Sequence, residues 1–228
     1  MDVVAELIVI RHGQSASNVA FPLADKQALL ESGLTGRDAD VGLTALGAEQ
    51  ARAVGRWLAT LSADRVPEVV IVSPYLRARE TWRIAAETSG LDLPAPATDD
   101  RLVDRLLGDL EMLTRAAVRA RVPDGAALWE PATQYSYRPP GGENFDDIAA
   151  RLTSFLRDLN ARHAGERVVV VAHDAVVLMM RCVLEGLDWA ALDAVVAENG
   201  PVRNASITRF DGSSGRLVLD SYNSVGHL

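Results

Sequence analysis

Apolar runs and helical stripes alternate along the chain and lay out a β/α order before any chemistry is considered. Val4 to Ile10 is a short run rich in β-branched residues, as a buried strand requires, and it leads straight into Arg11-His12-Gly13. Behind Thr44, a residue suited to an N-cap, Leu46, Ala53, Val54, Trp57, Leu58 and Leu61 form a helical stripe. Val69 to Val72 predicts a second buried strand, closed by Ser73-Pro74, with a helix over Leu76 to Thr88. Leu93 to Thr98 predicts a short third strand, which its prolines consign to a sheet edge. Leu113 to Arg121 reads as helical, and Pro123 to Gly142, with its prolines, glycines and aromatics, as a long irregular excursion. Phe145 to Arg162 carries a strong helical stripe of Phe145, Ile148, Leu152, Phe155, Leu156 and Leu159. Val168 to Ala172 is the clearest strand and runs into His173, followed by an apolar helix over Ala175 to Leu184. Ser206 to Phe210 and Leu217 to Tyr222 predict a late hairpin around Asp211 to Gly215.

Strands alternating with helices predict an α/β fold of three layers, α/β/α, around a mostly parallel central sheet. We read residues 1–228 as a single domain with a lid-like excursion at about 109–142. In such sheets the site forms beyond the carboxyl ends of the strands. Three segments begin where a predicted strand stops: Arg11-His12, Ser73 to Arg77, and His173. They can meet in space although they are far apart in sequence.

Charge narrows the partners. The net charge of −8 argues against a sequence-independent nucleic-acid binder and against docking on an anionic membrane. A small anionic substrate stays open, because a few arginines can hold a phosphate on an acidic protein. Cys182 is the only cysteine, so no intrachain disulfide forms, which fits a reducing, cytoplasmic setting. Val4 to Ile10 reads as a strand rather than a signal peptide, and no apolar run reaches the length of a membrane span. His12, His163, His173 and His227 lack ligand-like spacing, so no metal and no cofactor are expected. A homodimer is left open.

His12 at a strand end can present one ring nitrogen while backbone fixes the other, and Gly13 lets the chain turn without a Cβ clash. Arg11 brings a planar fork of donors suited to phosphate oxygens, and Asn18 and Ser15 add neutral ones. The plainer alternative is a satisfied core histidine beside a surface arginine. Arg77 falls in the first turn of a helix, whose N-terminus favours anions; alone, it reads equally well as solvated. His173-Asp174 reads alone as a strand end followed by a helix cap.

Together these residues resemble the histidine phosphatase superfamily, in its phosphoglycerate mutase-like branch, over nearly the whole chain. The matching stretches are Arg11-His12-Gly13 with Asn18, Leu43 to Ala51, Ser73 to Ala78 with Thr81, Gly141-Gly142-Glu143, and His173. The resemblance implies a phosphatase acting on a small phosphorylated metabolite, with His12 as the nucleophile that becomes phosphohistidine. It also implies that Arg11, Arg77 and His173 bind the phosphate with help from Asn18. Where the family has a glutamic acid, Arg101-Leu102-Val103-Asp104 places the shorter Asp104. Asp174 is the rival acid, since another branch of the family has His-Asp there. Asp104 is preferred because its surroundings follow the mutase-like branch and Asp174 has a ready role as a helix cap. A phosphoglycerate mutase-type phosphotransferase is the alternative, ranked lower because no mutase-type insert is clear between the acid and Gly142-Glu143. A catalytically weak phospho-ligand-binding module is a further one, supported only by the aspartate.

Several other residues carry plainer expectations. Trp129, Tyr135, Tyr137 and Arg138 either cover substrate or pack the excursion against the body. Glu143 either supports the phosphate-binding arginines or sits in a first helical turn. Arg79, Arg83 and Arg105 read as solvated charges, His163 as a helix-end surface residue, His227 as a tail residue and Cys182 as core.

Overall fold

The computed structural model describes residues 2–228, so Met1 lies outside the described residues. Its six strands are β1 (Glu6–Arg11), β2 (Val69–Val72), β3 (Ala97–Thr98), β4 (Arg167–Ala172), β5 (Ile207–Asp211) and β6 (Val218–Ser224). They form one mixed sheet in the order β3-β2-β4-β1-β5-β6. The pairs β3-β2, β2-β4 and β4-β1 are parallel, while the late hairpin adds β5 and β6 antiparallel at the other side. The proline-rich third strand does sit at the edge, shortened to two residues.

Side-chain alternation divides the core between the two faces of the sheet. Leu7, Val9, Val168 and Val170 point to one face and pack on α5 (Phe145–His163) and α6 (Asp174–Glu185) through Ile148, Leu152, Phe155 and Met179. Ile8, Ile10, Val169 and Val171 point to the other face. There they meet α2 (Ala45–Leu58) and α3 (Leu76–Ser89) through Val54, Leu58, Trp82 and Ala85. Strands buried on both faces explain the unbroken apolar runs of the sequence. Leu46, assigned to the apolar stripe of α2, is 53% exposed because it lies in the first turn, beyond the edge of the sheet core.

Two helices have no counterpart in the apolar pattern. α1 (Ala16–Lys26) buries only Ala24 and holds Pro22 inside, so it has no stripe to read. It is instead nucleated by a capping box in which Ser15 and Asn18 exchange side-chain and backbone bonds. α7 (Trp189–Asn199) begins at the Asp188 cap and buries Leu192 and Val195, with apolar residues on every face. The excursion is more structured than an irregular loop. It holds α4 (Arg115–Arg121) and a 3₁₀ turn (Pro123–Leu128) around a small core of Leu110, Val118 and Leu128.

Candidate active site

Sheet register brings the strand tips together. Arg11 lies opposite Ala172, and Val72 opposite Val171, so β1, β2 and β4 end at one height. The next residues continue the ladder: His12 N–H donates to Ala172 O (2.9 Å) and Ser73 N–H to Val171 O (2.9 Å). His12, Ser73 and His173 therefore emerge side by side, and the two imidazole rings sit edge to face with centroids 5.2 Å apart. Gly13 serves this approach in a way other than the expected turn. A Cβ there would lie 2.4 Å from Gly47 O, and one on Gly47 would lie 2.0 Å from Gln14 O. The His12 loop is thus pressed against the start of α2, where Thr44 N–H also donates to Gln14 O.

His12 is buried and fixed at both ends of its ring. Nδ1 lies 2.7 Å from Gly13 O, to which it donates, leaving the lone pair on Nε2. That nitrogen accepts from Arg77 Nε at 3.2 Å. Burial pushes the imidazole well below its ordinary 6.5, with His173, Arg77 and Arg11 adding in the same direction. His173, also buried, is pushed well below 6.5 by burial first and then by Arg77, Arg11 and Arg151. Its Nε2 meets Ser73 Oγ at 2.8 Å. Among the described residues, Arg11 Nε and His173 Nδ1 are buried nitrogens of this cluster without a hydrogen-bond partner. Buried donors without a protein partner are suited to receive the oxygens of an anion.

Two carboxylates approach Arg77. Asp104 Oδ2 accepts from Arg77 Nη2 at 3.0 Å and lies 3.4 Å from His173 Nδ1, within ion-pair range. Asp38, from a short turn over Asp38–Asp40, takes the rest of the fork: Arg77 Nη1 donates to its backbone O and Oδ1, and Nη2 to its Oδ2. Burial raises the Asp38 carboxyl despite the pull of Arg77. Asp174 stands apart. It is the first residue of α6 rather than its cap, pairs with Arg11 Nη2 at 3.1 Å, and its side chain is 48% exposed against 23% for Asp104. Asn18 borders the same cavity; its Oδ1 accepts from Ser15 N–H and from Asn204 Nδ2.

Sequence reading missed Asp38 altogether and gave no role to Ser73, Tyr75 or Asn204. Thr81 ties the site to α3, since its hydroxyl accepts from Gly13 N–H and donates to Arg77 O. Glu143 supports neither Arg11 nor Arg77. It binds Arg151, which in turn donates to the carbonyls of Arg101 and Asp104, and it accepts from Leu106 N–H. The pair therefore clamps the segment that carries Asp104. Arg105 is not a solvated charge either: it donates to the carbonyls of Glu143, Gln134 and Tyr137 and stacks 4.7 Å from the Phe145 ring centroid. Burial lowers its pKa, against the pull of Glu143 and Asp104.

Trp129 and Tyr135 border the cavity, Tyr137 packs with the small core of the excursion, and Arg138 pairs with Asp147. His163 ends α5 beside Glu166, and Cys182 is buried. His227 folds back, though onto Trp57 of α2 rather than over His12. Among the described residues no group of three or more His, Cys, Asp or Glu could hold a metal ion. No helix there is long and apolar enough to cross a membrane.

The chain is similar to known proteins over nearly its whole length. A 2,3-bisphosphoglycerate-dependent phosphoglycerate mutase of Methylobacterium radiotolerans is 34% identical over 224 residues, covering 96% of this chain and 98% of the relative. A metal-independent phosphoserine phosphatase of Arabidopsis thaliana is 28% identical over 225 residues, covering 99% of this chain and 84% of the relative. Among solved structures, a mycobacterial glucosyl-3-phosphoglycerate phosphatase in its native form superposes with a TM-score of 0.74 at 28% identity, covering 97% of this chain and 99% of that one. The sequence profile that matches residues 7–225 carries the same assignment, and the chain belongs to the histidine phosphatase superfamily, branch 1.

Proposed function

We propose that the chain hydrolyses small phosphomonoesters through a phosphohistidine on His12. The observation that carries this reading is the fixed Nε2 lone pair of a buried, uncharged imidazole, facing Arg77 with unpartnered donors of Arg11 and His173 beside it. A nucleophilic imidazole must be neutral, and this one is held so well below pH 6.5.

The phosphoryl group enters between Arg11 Nε, His173 Nδ1–H, Arg77 and the Asn18 amide, and takes donors of Arg77 that Asp38 otherwise holds. With Ser73 Oγ–H donating to Nε2, neutral His173 keeps its proton on Nδ1 and can donate it to a phosphoryl oxygen. His12 Nε2 attacks phosphorus as the bond to the ester oxygen breaks, and the protonated carboxyl of Asp104 gives its proton to the departing alkoxide. The arginines stabilise the charge on the phosphoryl oxygens throughout. In the second step water attacks the phosphohistidine, Asp104 takes its proton, and inorganic phosphate leaves as the P–N bond breaks. Asp104 suits the acid role better than Asp174 because it lies against both Arg77 and His173, whereas Asp174 is engaged by Arg11 at the rim. Segment 109–142 acts as the cover over the leaving group. A reducing cytoplasmic compartment suits the lone thiol of Cys182.

The purified protein is expected to hydrolyse p-nitrophenyl phosphate in the presence of a chelator, faster near pH 6 than at pH 8. The lowered His12 keeps its lone pair at that pH, and a proton for the departing alkoxide is more readily supplied than at pH 8. A His12→Ala variant should lose about 10⁴-fold or more in kcat, as removal of a covalent nucleophile does. Undiminished turnover would overturn the assignment. The mutase reading is favoured by relatives such as the Methylobacterium radiotolerans enzyme. It predicts interconversion of 3- and 2-phosphoglycerate primed by bisphosphoglycerate, which the same preparation can be asked to do.

A further inference from the structure

The seat of the phosphoryl group fills only a corner of a cavity of about 630 Å³, and the remainder must receive the alcohol part of the substrate. Its walls beyond the seat are largely apolar: Phe21 of α1, Leu107 and Trp129 of the cover, Leu178 of α6, Val196 of α7, and Val202. The cavity also borders four arginines, and each is already engaged. Arg11 holds Asp174 and the Val202 carbonyl, and its buried Nε has no protein partner. Arg77 holds Asp38 and Asp104. Arg105 donates from Nε, Nη1 and Nη2 to three backbone carbonyls. Arg115 pairs with Asp25 and stacks 5.1 Å from the Trp129 ring centroid.

The acids outnumber these cations. Two lining carboxylates, Glu111 and Asp193, have no arginine, lysine or histidine in ion-pair range among the described residues. Glu111 accepts only from Asp38 N–H, and Asp193 from the Tyr135 hydroxyl. A second anionic group on the substrate, a carboxylate or another phosphate, would enter a chamber whose guanidinium groups already hold carboxylates or backbone carbonyls and which carries two carboxylates without an ion-pair partner.

We infer that the preferred substrates are phosphomonoesters of apolar alcohols without carboxylate or a second phosphate, a class that excludes phosphoglycerate. This inference rests on the phosphatase reading above and adds the identity of the leaving group. The discriminating chemistry is burial of hydrocarbon against the Phe21, Leu107, Trp129 and Leu178 walls, together with exclusion of a second anion.

The test is a series of straight-chain alkyl phosphates, from ethyl to hexyl, whose leaving alcohols are nearly equal in basicity, so the chemical step is held constant. The expected result is a rise in kcat/KM of about fourfold per added methylene until the chamber is filled. 4-Phosphooxybutanoate should fall at least about tenfold below pentyl phosphate, a match of similar size without the carboxylate, and 3-phosphoglycerate should fall below butyl phosphate. A Val196→Arg variant, which adds a free cation to the wall, should narrow the gap between 4-phosphooxybutanoate and pentyl phosphate. A flat or falling alkyl series, or faster turnover of the carboxylated esters, overturns the substrate class. If p-nitrophenyl phosphate is turned over in either of those cases, the phosphatase reading survives and only the leaving-group assignment falls. If no phosphomonoester is hydrolysed, both fall.

Discussion

The proposed phosphoryl seat rests on strand tips spaced by sheet hydrogen bonds, whereas the wall proposed for the leaving group hangs from guanidinium groups pinned to loop carbonyls. In the seat, β1, β2 and β4 end in register, and the groups that follow them are buried. In the wall, Arg105 laces together carbonyls of three separate loop positions, and a core of only a few residues supports α4 and the turn after it. A rigid sheet suits chemistry that is the same for every ester, and a loop-built cover can vary to suit the alcohol. Substitutions in the seat should therefore lower kcat for all substrates, and substitutions in the cover should act mainly through KM and differ between substrates.

The largest departure from that division is expected at Asp104, which lies where seat and cover meet. Asp104→Asn should slow alkyl phosphates by about 10²–10⁴-fold, the usual contribution of a positioned general acid, and p-nitrophenyl phosphate far less, because its leaving group needs little protonation. Parallel assays of Asp174→Asn sharpen the point; the same leaving-group dependence there would move the acid to the rim. A cover variant, Arg105→Ala, should raise KM for alkyl phosphates by about tenfold while kcat for p-nitrophenyl phosphate changes little, since loosening the loops blurs the leaving-group wall. Equal loss of kcat on all substrates would erase the distinction.

The buried imidazoles of the seat also leave a mark on stability. His12 and His173 resist protonation in the fold but take up protons at their ordinary 6.5 when unfolded. The unfolded chain thus binds more protons below pH 6.5, and stability must fall as the pH drops through that value toward the lower folded-state pKa. Each ring contributes up to about 1.4 kcal/mol per pH unit in that window. Urea midpoints at pH 7.5, 6.5 and 5.5 should show this slope, reduced in His173→Gln. The smallest effect is expected at Asp38, which competes with phosphate for Arg77. Asp38→Asn should lower KM by a few-fold, on the order of 1 kcal/mol, with little change in kcat. A raised KM would mean that Asp38 orients Arg77 rather than occupying it.

The same contrast decides what could be read from sequence. His12, His173 and Ser73 follow apolar strands that stop abruptly, so their placement at one sheet edge was legible, as were Thr44 as a cap and the edge position of β3. Asp38 was not, because it reaches Arg77 across 39 positions from a turn with no periodicity. Arg105 looked like a surface charge because its acceptors are backbone carbonyls, which any residue supplies. α1 escaped notice because its stability comes from a capping box and not from an apolar stripe. For Gly13 the need to avoid a Cβ was legible, but not what the Cβ would strike: close packing against Gly47 depends on chain crossing, which local sequence does not encode.

The covalent step is tested most directly by rapid quenching of turnover with a ³²P-labelled phosphomonoester, followed by mapping of the labelled peptide. The account predicts label on the peptide containing His12, stable to alkali and labile to acid as a P–N bond is, and lost in His12→Ala. Multiple turnovers without any trapped phosphoenzyme, or label on a residue other than His12, would contradict it.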